Sequence, residues 1–265
     1  MNPLGVLLGA VVGFSLGLTG GGGAIFAVPL LVYGLSVAPH EAVGISLAAV
    51  GATAFIGFLQ RLRKREVEVG TGLVFAVAGM VGAPVGSMLS GYVPANILLV
   101  LFSALMLIVA GNMWKNALQN GGDSKLGATG TCERDTAGRL SMTSRCAVLL
   151  IGVGLLTGLL AGLFGVGGGF VIVPALMFFT SMGIHRAIST SLFVIALVSA
   201  AGVGSIIFGG KPLSLDITAL FIAGGVVGLG LGTWLSRWLS GPRLQKSFAA
   251  AIVGVAAFIV IETLI

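Results

Sequence analysis

Gly17-Leu18-Thr19-Gly20-Gly21-Gly22-Gly23-Ala24-Ile25-Phe26-Ala27-Val28-Pro29 lies inside an apolar stretch running from Pro3 to Tyr33. A second version, Gly162-Leu163-Phe164-Gly165-Val166-Gly167-Gly168-Gly169 leading to Val173-Pro174, follows at an offset of 145 (Pro29 to Pro174). The same offset lays His40 on His185, Ala42 on Ala187, Ser46 on Ser191 and Leu47 on Leu192. At an offset of 146 (Gly82 to Gly228), Gly86 falls on Gly232, Ser90 on Ser236 and Phe102 on Phe248. The chain reads as a duplication covering nearly everything except a polar insert.

Composition sets the medium. The chain is 57% hydrophobic and 8% charged, with a mean hydropathy of +1.12. Its charges fall in short runs between apolar stretches of about the 20 residues that a membrane crossing needs. Eight hydrophobic elements result, near 3–34, 41–60, 69–91, 95–114, 146–180, 186–208, 215–237 and 243–264. Residues 1–114 form the first transmembrane repeat, 115–145 a polar linker placed in the cytoplasm, and 146–265 the second repeat. The expected fold is an all-α polytopic membrane protein of two repeats, four elements each, resident in the cell's inner (plasma) membrane. Gly224-x-x-x-Gly228-x-x-x-Gly232 and Gly82-x-x-x-Gly86 read as stripes for close helix packing, within one chain or between two. The formal charge of +6 comes from residues flanking spans, so it signals topology and no nucleic acid. Cys132 and Cys146 lack metal-ligand spacing and read as incidental thiols, with neither a metal nor any cofactor implied.

The first element of each half is too long for one crossing and too short for two. Four successive glycines cost roughly 1 kcal/mol each relative to alanine in a helix, so the helix opens at Gly20 to Gly23. Pro29 and Pro174 then support the break, either near the start of a second short helix or as a kink within it. Loop charges give the orientation. Arg61, Arg63, Lys64 and Arg65 follow the second element, whereas its counterpart loop has only Lys211; the loop after the third element has none, whereas its counterpart has Arg237, Arg243 and Lys246. The bias flips between halves, as in inverted-topology repeats. If each first element enters and returns on one side, every lysine and arginine except Lys211 shares a face; single crossings move Arg186, Arg237, Arg243 and Lys246 away from the rest. The charge rule therefore favours re-entrant first elements with the glycines at their tips and both termini outside the cytoplasm.

Irregular backbone at membrane depth is tolerated where it is buried in protein or lines a water-filled cavity. Two symmetry-related breaks presenting free N–H groups suit an anion. The candidate substrate site is Gly20, Gly21, Gly22, Gly23, Gly165, Gly167, Gly168 and Gly169, with the hydroxyls of Ser46, Thr190 and Ser191. His40 and His185, the only histidines, offer a possible proton-coupling role or serve as interfacial residues at helix starts. No mid-span acidic or basic residue stands out, which argues against a carboxylate-based cation site.

Catalytic motifs are missing: no H-E-x-x-H, no G-x-S-x-G and no G-x-x-x-x-G-K-S/T, so the chain is not read as an enzyme. The glycine runs leading to Val28-Pro29-Leu30 and Val173-Pro174-Ala175, with the His-x-Ala segments ending in Ser46-Leu47 and Ser191-Leu192, resemble the TauE/SafE sulfite exporter family over both halves. The resemblance implies a permease, often an exporter, for sulfite, organosulfonates or related sulfur anions, without ATP hydrolysis by the chain. The first half departs from the family's threonine-serine pair at Ile45-Ser46; the second keeps it at Thr190-Ser191. The resulting expectation is a secondary transporter with a small anionic substrate and the lipid bilayer as its partners. The alternatives are a permease for another anion, such as a carboxylate, or a receptor or scaffold acting through its polar insert.

Overall fold

A computed structural model describes residues 3–21, 23–63, 66–94, 144–165, 169–180, 182–210 and 214–236, with short pieces between 97 and 111 and at 253–254. Among these residues the structure is helical, without strands. The helices are α1 (Pro3–Thr19), α2 (Ala24–Pro29), α3 (Pro39–Leu62), α4 (Val69–Ser90), α5 (Ser144–Phe164), α6 (Gly169–Thr180), α7 (Ile184–Phe208) and α8 (Leu215–Leu235). Five of them, α3, α4, α5, α7 and α8, contain stretches long and apolar enough to cross a membrane. Large apolar side chains such as Val81, Met88, Val148, Leu156, Val227 and Leu231 lie exposed along their outer faces, as does Leu7 on α1. Such a surface suits lipid rather than water.

Both long first elements divide where the glycines stand. α1 ends at Thr19 and α2 begins at Ala24; α5 ends at Phe164 and α6 begins at Gly169. After its break the chain doubles back. A Cβ on Gly23 would lie 2.5 Å from Val12 O, one on Gly34 would lie 2.8 Å from Leu8, and Leu35 lies 4.0 Å from the Cβ position of Gly5. α2 thus runs antiparallel to α1. Pro29 sits inside this return helix, where α geometry gives way to a π turn over Leu30–Gly34. Pro29 has no N–H to give the i→i−4 ladder, and the turn that follows it is the wider π turn. Pro174 lies within α6.

Packing exchanges the halves. α1 runs parallel to α8 with backbone nearly on backbone: Cβ atoms on Gly9, Gly13 and Gly17 would stand 2.3, 1.9 and 2.6 Å from the carbonyl oxygens of Phe221, Gly225 and Leu229. α5 meets α4 likewise, with Gly154, Gly158 and Gly162 against Phe75, Gly79 and Ala83. The stripes legible in sequence form the opposing surfaces: Gly224, Gly228 and Gly232 on α1, and Gly82 and Gly86 on α5. A methyl group at any of these positions would force the helices apart, which is why small residues mark such seams. Between the two pairs, α3 crosses α7 antiparallel, with Gly57 on Leu192, Gly51 on Ser199 and Gly202 on Leu47.

One reading requires correction. Cys146, buried at the start of α5, is disulfide-bonded and so is not an incidental thiol. The chain's other cysteine, Cys132, lies outside the described residues, as does most of the 115–145 linker.

Candidate functional site

The two breaks share one backbone solution. Gly20 has φ 75° and Gly165 φ 70°, left-handed values that place a glycine at the end of a helix. Each caps its helix identically, Gly20 N–H bonding Leu16 O at 2.8 Å and Gly165 N–H bonding Ala161 O at 2.9 Å. Each also wedges into the other half. A Cβ on Gly20 would stand 2.7 Å from Ile188 Cα, and one on Gly165 would stand 2.5 Å from Val43 Cα. Val43 and Ile188 are themselves equivalent positions in the duplication.

The breaks meet. The backbone of Gly21 lies against that of Gly169, so closely that a Cβ on Gly21 would come within 2.4 Å of the Gly169 carbonyl carbon. The missing side chain of Gly23 is what lets α2 return along α1. Gly22, Gly167 and Gly168 lie outside the described residues.

Hydroxyls from the start of α7 converge on the first break. Ser191 Oγ donates to the Gly20 carbonyl, with Ile188 O at 2.8 Å as its alternative acceptor. Thr190 Oγ1 accepts the Glu68 N–H at 3.1 Å, which ties the loop after α3 to α7. Ser189, Thr190 and Ser191 are all fully buried. Ser46, the equivalent of Ser191 on α3, is fully buried too, yet its Oγ has no hydrogen-bond partner. A buried hydroxyl left so costs about 1–3 kcal/mol, and Ser199 Oγ on α7 and Thr233 Oγ1 on α8 share that condition. His40 and His185 are exposed in the first turns of α3 and α7, each three residues before the residue, Val43 or Ile188, on which a break glycine packs.

The sequence reading passed over Arg61. Its run with Arg63, Lys64 and Arg65 reads as a topology signal, but Arg61 lies in the last turn of α3 and is only 5% exposed, whereas Arg63 faces outward. Its Nη1 donates to Ser189 Oγ at 3.1 Å and its Nη2 to Gly17 O at 3.2 Å, three residues before the break. Glu66 reaches the same Ser189 hydroxyl at 3.5 Å. Beyond it, Glu68 pairs with Arg186 at 3.8 Å and accepts from Thr71. The signal was present in the spacing: Val50, Ala54, Gly57 and Arg61 form one buried stripe on α3, and Arg61 ends it. At the other end of the molecule the equivalent contact joins Ser214 to Glu41, without an arginine.

The family model for the sulfite exporter TauE/SafE matches residues 5–259. The chain belongs to the TauE/SafE family. A probable membrane transporter protein of Xylella fastidiosa (strain Temecula1) is 35% identical over 256 residues, covering 95% of this chain and 92% of that protein. The probable membrane transporter protein YunE of Bacillus subtilis is 30% identical, covering 88% and 87%. One from Haemophilus influenzae is 29% identical, covering 95% of both. No solved structure matches the chain. Family membership and five apolar helices of spanning length make this TauE/SafE protein a multi-pass membrane transporter and not an enzyme.

Proposed function

We propose that the chain is a plasma-membrane secondary transporter, acting as an exporter, for sulfite, an organosulfonate or a related small sulfur-containing anion. Two inverted repeats, separated by the 115–145 linker, alternate access around the paired glycine breaks. The observation that carries this reading is the apposition of Gly21 and Gly169 between two left-handed glycines, Gly20 and Gly165. Broken helices meeting inside a bundle give bare backbone to a ligand, as in transporters with discontinuous helices. Inversion is supported by the antiparallel run of α3 against α7, which the duplication makes equivalent. Re-entrance is supported by the return of α2 along α1, which leaves Leu35 beside Gly5. Buried Ser46, Thr190 and Ser191 supply hydroxyls near the breaks, of the kind that would donate to an anion. The name of the family's model, a sulfite exporter, supplies the substrate class.

Flux of labelled sulfite into proteoliposomes, with and without an imposed proton gradient, tests the proposal. Saturable uptake that methanesulfonate or thiosulfate inhibits is the expected result. Uptake inhibited by carboxylates alone would establish the carboxylate permease instead, and no saturable anion flux would remove the proposal.

A further inference from the structure

We propose that the two serines which the duplication makes equivalent have divided their work: Ser46 donates to the transported anion at the Gly165 break, whereas Ser191 commits its hydroxyl to the Gly20 break. The inference rests on the anion-permease reading above and deepens it.

Three successive positions near the start of α3, Gly44, Ile45 and Ser46, correspond to Ser189, Thr190 and Ser191 on α7. On α7 all three residues carry hydroxyls, and all three are engaged. Ser189 Oγ donates to His185 O at 2.8 Å and accepts from Arg61, Thr190 Oγ1 accepts the Glu68 N–H, and Ser191 Oγ donates to Gly20 O. On α3 only Ser46 has a hydroxyl, and its Oγ has no partner although the residue is fully buried. Ser46 stands one turn beyond Val43, on which Gly165 rests, as Ser191 stands one turn beyond Ile188, on which Gly20 rests. The bond to Gly165 O that would complete the symmetry is not made.

A second way of satisfying Ser46 is also left unused. A buried serine or threonine within a helix can bond a carbonyl one turn back, as Thr157 does to Val153 O, Thr180 to Leu176 O and Thr218 to Ser214 O. Ser46 has the Ala42 carbonyl at that spacing and does not take it. Its neighbours along α3, Val43, Ile45 and Leu47, are buried and apolar, so their side chains accept nothing. A hydroxyl held dry and unpaired beside a helix break finds its acceptor when an anionic oxygen arrives, and a bond to a charged acceptor is stronger than one to a carbonyl. Ser199 and Thr233 are unpaired too, but in seams between helices, where a Cβ on Gly51 would stand 2.6 Å from Ser199 Cβ and one on Gly17 2.8 Å from Thr233 N. Ser46 differs from both in its place, one turn from the residue that carries Gly165.

Calorimetric titration of the purified full-length chain with sulfite, methanesulfonate and acetate tests this, using wild type, Ser46→Ala and Ser199→Ala, with thermal unfolding of each in the absence of anion. Ser46→Ala should bind roughly 10- to 100-fold more weakly, the equivalent of one hydrogen bond to a charged group. It should melt no lower than wild type, because the hydroxyl removed is unpaired; a serine with a structural role would lower the melting temperature when truncated. Ser199→Ala, which removes an equally buried and unpaired hydroxyl, should keep wild-type affinity. Wild-type affinity in Ser46→Ala, an equal loss in Ser199→Ala, or a lower melting temperature in Ser46→Ala overturns the assignment while leaving the transporter reading intact. Wild type that binds none of the three anions overturns the transporter reading itself. If Ser46→Ala does not yield monodisperse protein, Ser46→Cys, a weaker donor of similar size, decides alone: unchanged or tighter binding overturns the assignment.

Discussion

Gly21 and Gly169 touch through bare backbone. A Cβ on Gly21 would stand 2.6 Å from Gly169 Cα, and one on Gly169 would stand 2.5 Å from Gly21 Cα. No side chain fits on either without moving the two breaks apart, which gives the first prediction. Gly21→Ala and Gly169→Ala should each lose most sulfite flux in proteoliposomes while still inserting into membrane. Gly204 and Gly230 have no neighbour within 4 Å of the Cβ position. Their alanine variants should keep wild-type flux and gain up to about 1 kcal/mol in helix stability.

Gly20→Ala and Gly165→Ala combine a steric clash with a left-handed backbone that alanine adopts at roughly 1 kcal/mol or more. Because the two glycines occupy equivalent places, the two variants should lower the melting temperature by similar amounts. A large difference between them in a thermal unfolding assay would show that the breaks are energetically unequal.

The return of α2 along α1 places Ser36 on the face of the molecule where Glu41 meets Ser214. In a chain with both native cysteines replaced by serine, Ser36→Cys and Gly209→Cys should therefore react with an impermeant maleimide from the same side. Single crossings by the first elements would put them on opposite sides, so labelling from opposite faces would rule out re-entrance.

His40 and His185 are exposed at helix starts. The double variant His40→Ala, His185→Ala should retain sulfite flux with the pH dependence of wild type. A flattened pH profile would assign the histidines to proton coupling.

Cys146 should be inaccessible to maleimide until the protein is reduced, with two thiols appearing afterwards, since the chain holds two cysteines. Disulfides persist in oxidising compartments, whereas the loop-charge rule expects the linker in the cytoplasm. Thiol counting in membranes prepared under alkylating conditions decides which of the two sets the orientation.

Much of the fold was legible because membrane helices obey blunt rules. The sequence bounds for α3, α4, α7 and α8 fall within about two residues of the observed ones, set by apolar length and by flanking charge. The cost of glycine runs in helices is why the sequence expects an interruption where α1 ends at Thr19 and α2 begins at Ala24. What the glycine stripes touch was not: spacing tells that Gly224, Gly228 and Gly232 seek a close neighbour, but not that the neighbour is α1. Arg61 was hidden for another reason. A basic residue next to three more reads as a flank, and only the packing of α3 on α7 turns its side chain inward.

The exchange of helices between halves also bears on how the protein is made. α1 packs on α8 and α4 on α5, so each half leaves its glycine faces without their proper neighbours until the other half exists. During synthesis α1 enters the bilayer almost a whole chain length before α8, and its bare backbone grooves face lipid or the insertion machinery in the interval. Assembly therefore waits on long-range contacts that form last. A truncated product ending in the linker would be a substrate for membrane proteases, not a half-sized transporter.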